Sequence, residues 1–150
     1  MPNVTNKYLS NYHNAIQAVL EKLNPTFFEG NNIMFGGGTR IALELNEYRE
    51  SIDIDFICPN TESYRAIRMQ VTNVSLGSVT TEPLTLVREI RSDRYGVRTV
   101  IQEQGINIKL EFVSFDDYKL SKMDTSLFPV PCLDRDSCFI TKLLAHSDRG

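Results

Sequence analysis

Two aspartates separated by one residue, Asp53 and Asp55, are the side chains of this sequence best placed to do chemistry together. They lie in residues 52–58, IDIDFIC, where apolar and acidic residues alternate. The alternation predicts a strand whose apolar side chains face one way and whose aspartates face the other, about 7 Å apart along the backbone. Carboxylates this close repel each other unless a cation offsets their charge. Because Mg²⁺ binds oxygen ligands and completes its shell with water and phosphate oxygens, the pair predicts a magnesium or manganese site that also takes a nucleotide.

A second alternating stretch, residues 106–113, carries Asn107, Lys109 and Glu111 on one face and apolar residues on the other. If this strand pairs beside the Asp53 strand, Glu111 becomes a third carboxylate at the same site and Lys109 lies one step along. The alternative is that both are ordinary solvent-facing residues of an antiparallel edge strand. The sequence leaves the pairing open.

A glycine-rich turn, Gly36-Gly37-Gly38-Thr39, joins a short apolar strand at residues 33–35 to a helix expected to begin near Arg40. Three consecutive glycines are costly in conformational entropy, so they indicate a positive φ or the close approach of a ligand to the backbone. Free N–H groups at a helix N-terminus favour an anion, and Thr39 adds a hydroxyl, so a triphosphate would fit here. A tight strand-to-helix turn uses the same residues, and the Lys-Ser/Thr pair of a Walker loop is missing. The signal is the combination of this loop with the Asp-x-Asp strand that follows.

Residues 35–43 followed by residues 49–56, FGGGTRIAL and RESIDIDF, resemble a known signature. It is the Gly-Gly-Thr…Arg-x-Ser-x-Asp-hydrophobic-Asp signature of AbiEii-type nucleotidyltransferases, the polymerase-β-like family whose bacterial members act as toxins of toxin–antitoxin and abortive-infection systems. The resemblance is specific over residues 33–57 and moderate at residues 108–112. It is weaker in the last helix, where Lys142 to Ala145 followed by Arg149 is similar to the family's Lys-x-x-Ala-x-x-x-Arg pattern.

The resemblance implies an α/β (α+β) polymerase-β-like nucleotidyltransferase fold, a mixed central sheet with flanking helices. It implies that Asp53 and Asp55 are catalytic metal ligands and that Glu111 is a third carboxylate, either a further ligand or the base that takes the acceptor proton. Arg49 would brace the carboxylates or the triphosphate. The residues expected to bind the nucleotide are Gly37, Gly38, Thr39, Arg40, Arg49, Lys109 and Lys142.

The function implied is metal-dependent transfer of a nucleoside monophosphate from an NTP to an acceptor hydroxyl on a tRNA or a protein, by a toxin that a separate antitoxin protein neutralises. Two other classes stay open. One is a non-catalytic module that binds a nucleotide or a partner protein through the same cleft. The other is a small-molecule nucleotidyltransferase of the aminoglycoside-modifying kind, which shares the Asp-x-Asp core.

Composition narrows the classes of protein. The chain has 150 residues, 41% of them hydrophobic and 23% charged, which is the size and make-up of one globular domain over residues 1–150. Members of the family that it resembles usually continue into a further acidic motif and a helical region that helps hold the acceptor, so we expect either a minimal member or a chain whose C-terminus has been removed. The longest apolar run is three residues and no secretory signal is present, so we expect a cytoplasmic protein with no membrane partner. Three cysteines without paired spacing predict buried free thiols.

Four arginines within eleven residues, Arg88, Arg91, Arg94 and Arg98, are the strongest local charge feature of a chain whose net charge is −3. They predict either a solvated strand-turn-strand or a patch that faces phosphates.

The remaining pattern predicts the elements around the site. Residues 8–23 form an amphipathic helix that Asn24-Pro25 ends, with His13 beside the apolar stripe and expected at the surface. Asn60 caps a helix running to Val74, and Asp134 caps a final helix. Strands are expected at residues 84–90, 97–102 and 106–113, and the apolar face of the final helix is expected to consist of Phe139, Ile140, Leu143 and Leu144.

Overall fold

The computed structural model describes residues 7–115, 120, 122 and 127–149, with the backbone alone at 142 and 144–149. Five α-helices occur in this part of the chain: Asn11–Lys22 (α1), Pro25–Gly30 (α2), Gly37–Glu44 (α3), Thr61–Gln70 (α4) and Arg135–Arg149 (α5). A short 3-10 helix spans Gly77–Val79. Six strands accompany them: Met34–Gly36 (β1), Asp53–Cys58 (β2), Thr85–Leu86 (β3), Arg91–Ser92 (β4), Gly96–Glu103 (β5) and Ile106–Ser114 (β6). The mixed sheet with flanking helices confirms the predicted fold class.

The strands form one sheet in the order β1-β2-β6-β5-β3, and β4 also pairs with β5. β2 and β6 run parallel, whereas the other neighbours are antiparallel. β5 and β6 form the predicted hairpin, whose turn residues Gln104 and Gly105 both have positive φ. Two consecutive positive-φ residues match the right-handed twist of the flanking strands. The Asp53 strand and the Glu111 strand are therefore direct neighbours at the centre of the sheet.

The two faces of the sheet have different roles. The inner face packs the side chains of Ile54, Phe56, Leu110 and Phe112 against α1, α2 and α4 in the main core. The outer face is covered by α3 and α5 near Ile57, where a smaller apolar cluster forms. The rest of the outer face carries the charged side chains of β2, β6 and β5. The alternation in the sequence therefore places apolar side chains on the core face of the sheet and charged side chains on the outer face, as expected.

Several boundaries differ from the sequence prediction, and among them α1 begins at Asn11, not at residue 8, and α3 begins at Gly37, not near Arg40. Asn24-Pro25 ends α1 but also begins α2, because the Asn24 side chain accepts a hydrogen bond from the Phe27 N–H (3.3 Å) and proline suits the first turn of a helix. The helix capped by Asn60 ends at Gln70, not Val74, which is 72% exposed. The strand expected at residues 84–90 is reduced to the two-residue strand β3, although the Val87 N–H still donates to the Val100 carbonyl of β5 (2.8 Å).

α5 presents a different face to the protein from the predicted one. Asp134 caps it as expected, accepting from the Ser137 N–H at 2.8 Å. Among the side chains of α5 that the structure describes, however, the buried ones are those of Ser137, Cys138 and Thr141. The predicted apolar face is wrong for Phe139, Ile140 and Leu143, which are 43%, 46% and 71% exposed, and the Leu144 side chain lies outside the described part of the structure.

The three cysteines, Cys58, Cys132 and Cys138, are free and buried, as predicted. Burial raises the pKa of the Cys58 thiol to about 12. Over the described residues, the chain forms no helix with the length and apolar character needed to cross a membrane.

Candidate active site

One row of residues crosses four strands at the centre of the outer face. Gly36 on β1 is opposite Asp55 on β2, Asp55 is opposite Glu111 on β6, and Glu111 is opposite Arg98 on β5. Directly opposite residues project their side chains from the same face of a sheet. The structure therefore brings Asp55 and Glu111 side by side. By the same register, Asp53 is the neighbour of Lys109.

The Glu111 side chain is enclosed by cations. It is only 7% exposed, and its two oxygens lie 3.4 Å from Arg98 Nε and 3.6 Å from Lys109 Nζ. Arg98 also donates from Nη1 to Asp93 Oδ2 (3.0 Å), and this hydrogen bond is the main cause that raises the pKa of Arg98 above its ordinary value. Within the described residues, no group of three His, Cys, Asp or Glu side chains is assembled to hold one metal ion. The two aspartates and Glu111 are thus neighbouring carboxylates on this face, and Glu111 is ion-paired with Arg98 and Lys109.

The Asp53–Asp55 pair fits a divalent metal of the magnesium type. Both side chains are half-buried on one face of β2. The Asp53 carboxylate makes no hydrogen bond or ion pair with another described residue. Two carboxylates that leave further positions to water and phosphate oxygens are the set that Mg²⁺ prefers. The donor chemistry therefore matches the predicted metal.

The glycine turn is shaped by its contact with these carboxylates. Gly37 begins α3 with φ +77°, which side chains rarely adopt, and a Cβ placed on it would lie 2.5 Å from Asp55 Oδ2. A Cβ on Gly38 would collide with Nη2 of Arg49. Arg49 is exposed and has no hydrogen bond or ion pair to a described residue. An arginine fork with available donors therefore lies against the N-terminus of α3, beside Asp55.

Thr39 is placed differently from the sequence expectation of an anion-facing hydroxyl. It is 1% exposed, and its hydroxyl is hydrogen-bonded to the hydroxyl of Ser51. The Ser51 N–H donates to His13 Nε2 (3.0 Å), so the neutral ring of His13 donates from Nδ1 to Glu47 (2.8 Å). The chain Thr39–Ser51–His13–Glu47 fixes the segment that carries Arg49.

His13 was expected at the surface, and that prediction is wrong, because its side chain is fully buried. Periodicity placed it beside the stripe of α1, but the segment at Glu47 folds over it. Burial tends to raise the pKa of Glu47, but donors from Leu9 N, Ser10 N and His13 outweigh that effect and lower it below its ordinary value. No local sequence signal marked Glu47 or Ser51 as partners of a helix more than thirty residues away.

The comparisons with known proteins decide the family. The model of the nucleotidyl transferase AbiEii toxin family, type IV toxin–antitoxin system, matches residues 18–150. This chain belongs to that family. The match confirms the resemblance read from the sequence and makes the chain a nucleotidyltransferase of a toxin–antitoxin family.

Two further comparisons add no evidence on the family. A solved structure of a candidate nucleotidyltransferase from Thermotoga maritima is 13% identical, covers 98% of this chain and 92% of that one, and aligns with a TM-score of 0.45. A search of curated proteins found no match to the chain.

Among the residues expected to bind nucleotide in this AbiEii-family chain, Arg40 has a buried environment. Its side chain is 0% exposed, its Nη1 pairs with Glu44, and its Nε donates to the Leu133 carbonyl (2.9 Å). The guanidinium also lies 6.0 Å from the centre of the Phe128 ring. These contacts tie α3 to the segment before α5. They leave Arg40 no exposed surface for a ligand.

Glu44 completes this group by accepting from Arg135 Nη2 (2.9 Å) as well as from Arg40. Burial tends to raise the pKa of Glu44, but the two arginines together lower it below its ordinary value. The two lysines predicted to bind the nucleotide are placed differently. Lys109 is 49% exposed beside Asp53 and Glu111, whereas the side chain of Lys142 lies outside the described part of the structure.

Proposed function

We propose that this chain transfers a nucleoside monophosphate from an NTP to an acceptor hydroxyl on the end of a tRNA or on a protein. It acts as a toxin, in the cytoplasm where NTPs are made, and a separate antitoxin protein neutralises it. The family match supports the reaction class and the toxin role. The observation that carries the chemistry is the row formed by Gly36, Asp55, Glu111 and Arg98, with Arg49 against Gly38.

Asp53 and Asp55 are the residues that would hold Mg²⁺ or Mn²⁺. Bound there, the metal would neutralise triphosphate charge and align the two oxygens of an in-line displacement. The N-terminus of α3 at Gly37 and Gly38, together with Arg49, would hold the nucleotide phosphates, because free N–H groups and a guanidinium fork both bind phosphate oxygens. Lys109 would contribute a further positive charge beside Asp53.

The transfer needs positioning more than covalent help from the protein. The acceptor oxygen forms a bond to the α-phosphorus, the bond from that phosphorus to the α,β-bridging oxygen breaks, and pyrophosphate leaves. Arg49 and the N–H groups of the glycine turn orient the phosphates for this displacement. Glu111 is the third carboxylate beside Asp55, where it serves as a ligand after leaving Arg98 or takes the proton of the acceptor hydroxyl.

The test is transfer of label from each α-labelled NTP, with magnesium, into total RNA and lysate protein. The matched variants are Asp53→Asn/Asp55→Asn, which remove the proposed ligands, and Asp136→Asn, which removes an exposed carboxylate in the first turn of α5. We expect label with the wild type and Asp136→Asn, and a loss of about 100-fold or more with the double variant.

The labelled fraction identifies the acceptor class, and the nucleotide that gives label identifies the preferred base. Growth inhibition should follow the same order as label transfer. Equal transfer by the double variant would reject the proposal. NTP binding by calorimetry without any labelled product would instead favour the non-catalytic module.

A further inference from the structure

An open groove of about 650 Å³ lies between the end of α4 and β4, on the β5 side of the candidate active site. Three arginines line it: Arg68 from α4, Arg91 from β4 and Arg98 from β5. We call it the arginine groove. Two acidic residues, Glu89 and Asp93, also line it. Arg98 also pairs with Glu111 in the candidate active site, whereas neither the family match nor the proposed nucleotide site accounts for Arg68 and Arg91.

The arginines are arranged in a way that folding alone does not favour. Arg91 is directly opposite Arg98 in the β4–β5 ladder, and like charges at that position destabilise a sheet. The Asp93 carboxylate accepts from Arg98 with one oxygen and from the Tyr95 and Gly96 N–H groups with the other, while Arg68 donates to the Asp93 main-chain carbonyl (3.3 Å). The Tyr95 N–H is the main cause that lowers the pKa of Asp93, followed by Arg98. The Arg91 guanidinium has no hydrogen bond or ion pair to a described residue, so its charge is available to an anion.

The arginine groove is continuous with the candidate active site through one side chain. Arg98 donates from Nη1 to Asp93 in the groove, and its Nε lies 3.4 Å from Glu111 Oε2. Glu111 is in turn the register neighbour of Asp55. A chain of phosphates lying in the groove would therefore lead toward the carboxylates where the acceptor hydroxyl must react.

The tip of the β4–β5 turn adds an aromatic surface. Tyr95 is 61% exposed, and the Arg94 guanidinium stacks on its ring at 4.7 Å. Exposed aromatic rings beside arginines are the surface on which unpaired bases stack, whereas phosphates pair with the arginines. This combination favours a single-stranded polynucleotide over a protein acceptor.

We propose that the arginine groove binds the phosphodiester backbone of a single-stranded RNA end and that Tyr95 stacks one of its bases. The inference rests on the proposed function, since it assigns the acceptor of that reaction to RNA. Arg68 and Arg91 are the phosphate-binding residues that can be removed without touching the Arg98–Glu111 pair.

The experiment measures binding of a fluorescent single-stranded RNA to the full chain, without NTP, over a series of salt concentrations. Arg68→Gln/Arg91→Gln is compared with Arg65→Gln/Arg88→Gln, which makes the same change in charge at two exposed arginines outside the groove lining. We expect the groove variant to bind about tenfold more weakly than the control variant. We also expect its plot of log K against log salt to flatten by about 0.7 for each phosphate that the variant no longer neutralises.

Tyr95 supplies an independent arm of the test. Tyr95→Ala should weaken binding with an unchanged salt slope, and Tyr95→Phe should restore the affinity, because stacking needs the ring and not the charge. Equal RNA affinity of the groove and control variants would overturn the proposal, as would label transfer to protein with no dependence on Arg68 and Arg91.

Failure of the proposed function gives a different result. The binding measurement contains no NTP, so its result does not depend on the transfer reaction. Groove-dependent RNA binding by a wild type that transfers no label would reject the transfer reaction and support the groove.

Discussion

A carboxylate oxygen of Asp55 lies 2.5 Å from the position that a Cβ on Gly37 would occupy. Gly37→Ala should therefore displace Asp55 and strain the turn, since φ is +77° there. We expect a loss of about 1–2 kcal/mol in the free energy of unfolding, from the positive φ alone, and a loss of transfer activity of at least about tenfold. Denaturant unfolding and label transfer measure the two effects.

Gly30→Ala is the control for this prediction. A Cβ on Gly30 would meet nothing within 4 Å, and the residue lies in α2, outside the site. It should leave both measurements close to the wild type. Full activity of Gly37→Ala would mean that the turn tolerates movement of Asp55.

Substitutions of Arg40 and Arg49 should have different effects, the first on the stability of the fold and the second on nucleotide binding. Arg40→Gln breaks a buried ion pair with Glu44 and should cost about 3 kcal/mol of unfolding free energy. Arg49→Gln removes an exposed arginine and should change stability by no more than about 0.5 kcal/mol. NTP affinity of the folded protein should fall about tenfold in Arg49→Gln and stay unchanged in Arg40→Gln.

Urea unfolding and calorimetric titration with NTP check this pair of expectations. The reverse result, with weaker NTP binding only in Arg40→Gln, would return Arg40 to the nucleotide site and remove Arg49 from it.

Glu111→Gln tests whether the third carboxylate is a ligand. If it binds the metal, the magnesium concentration needed for half-maximal transfer should rise about tenfold. Glu103→Gln is the control, because Glu103 is also an ion-paired glutamate of the β5–β6 hairpin, 2.7 Å from Lys22 and away from the site. An unchanged magnesium requirement with a lower rate and a flattened pH profile would assign Glu111 the role of base.

Glu47 should make the fold sensitive to acid. Its pKa in the folded chain lies below the ordinary 4.5, so its contribution to stability is complete above about pH 4.5 and is lost as the pH falls through the lower, folded value. We expect Glu47→Gln to be less stable than the wild type at neutral pH and the difference to close below about pH 4.5.

Unfolding by urea at several pH values measures that difference. Glu21→Gln, which changes an exposed carboxylate on α1, should track the wild type throughout. A difference between Glu47→Gln and wild type that persists unchanged into acid would contradict the mechanism.

The parts of the site that lie on two strands were readable from the sequence. Alternation placed Asp53 and Asp55 on one face and Lys109 and Glu111 on one face, because side chains leave a strand in opposite directions at successive residues. The hairpin turn at Gln104-Gly105 was equally local. The alternation also identified which face of β2 and β6 belongs to the core.

The burial and the contacts of side chains whose partners lie far along the chain could not be predicted from the sequence. His13 has Ser51 and Glu47 as partners, and Arg40 has Leu133, so nothing near either residue in the sequence showed that it would be buried. The buried face of α5 was predicted wrongly for a related reason. Its small and polar residues face the glycine turn, where the Cys138 thiol donates to the Gly37 carbonyl (3.3 Å), and larger side chains would not pack so closely.

The sequence by itself determined the family, the Asp-x-Asp strand and the glycine turn. It also determined which face of β2 and β6 is apolar, because all of these features depend on residue types at short spacing. Only the tertiary structure decided that β6 lies parallel to β2, that Glu111 sits between Asp55 and Arg98, and that the arginine groove adjoins the site. Those relationships depend on which strands pair and in what register. Strand pairing is settled by burial of the whole inner face, which no short stretch of sequence contains.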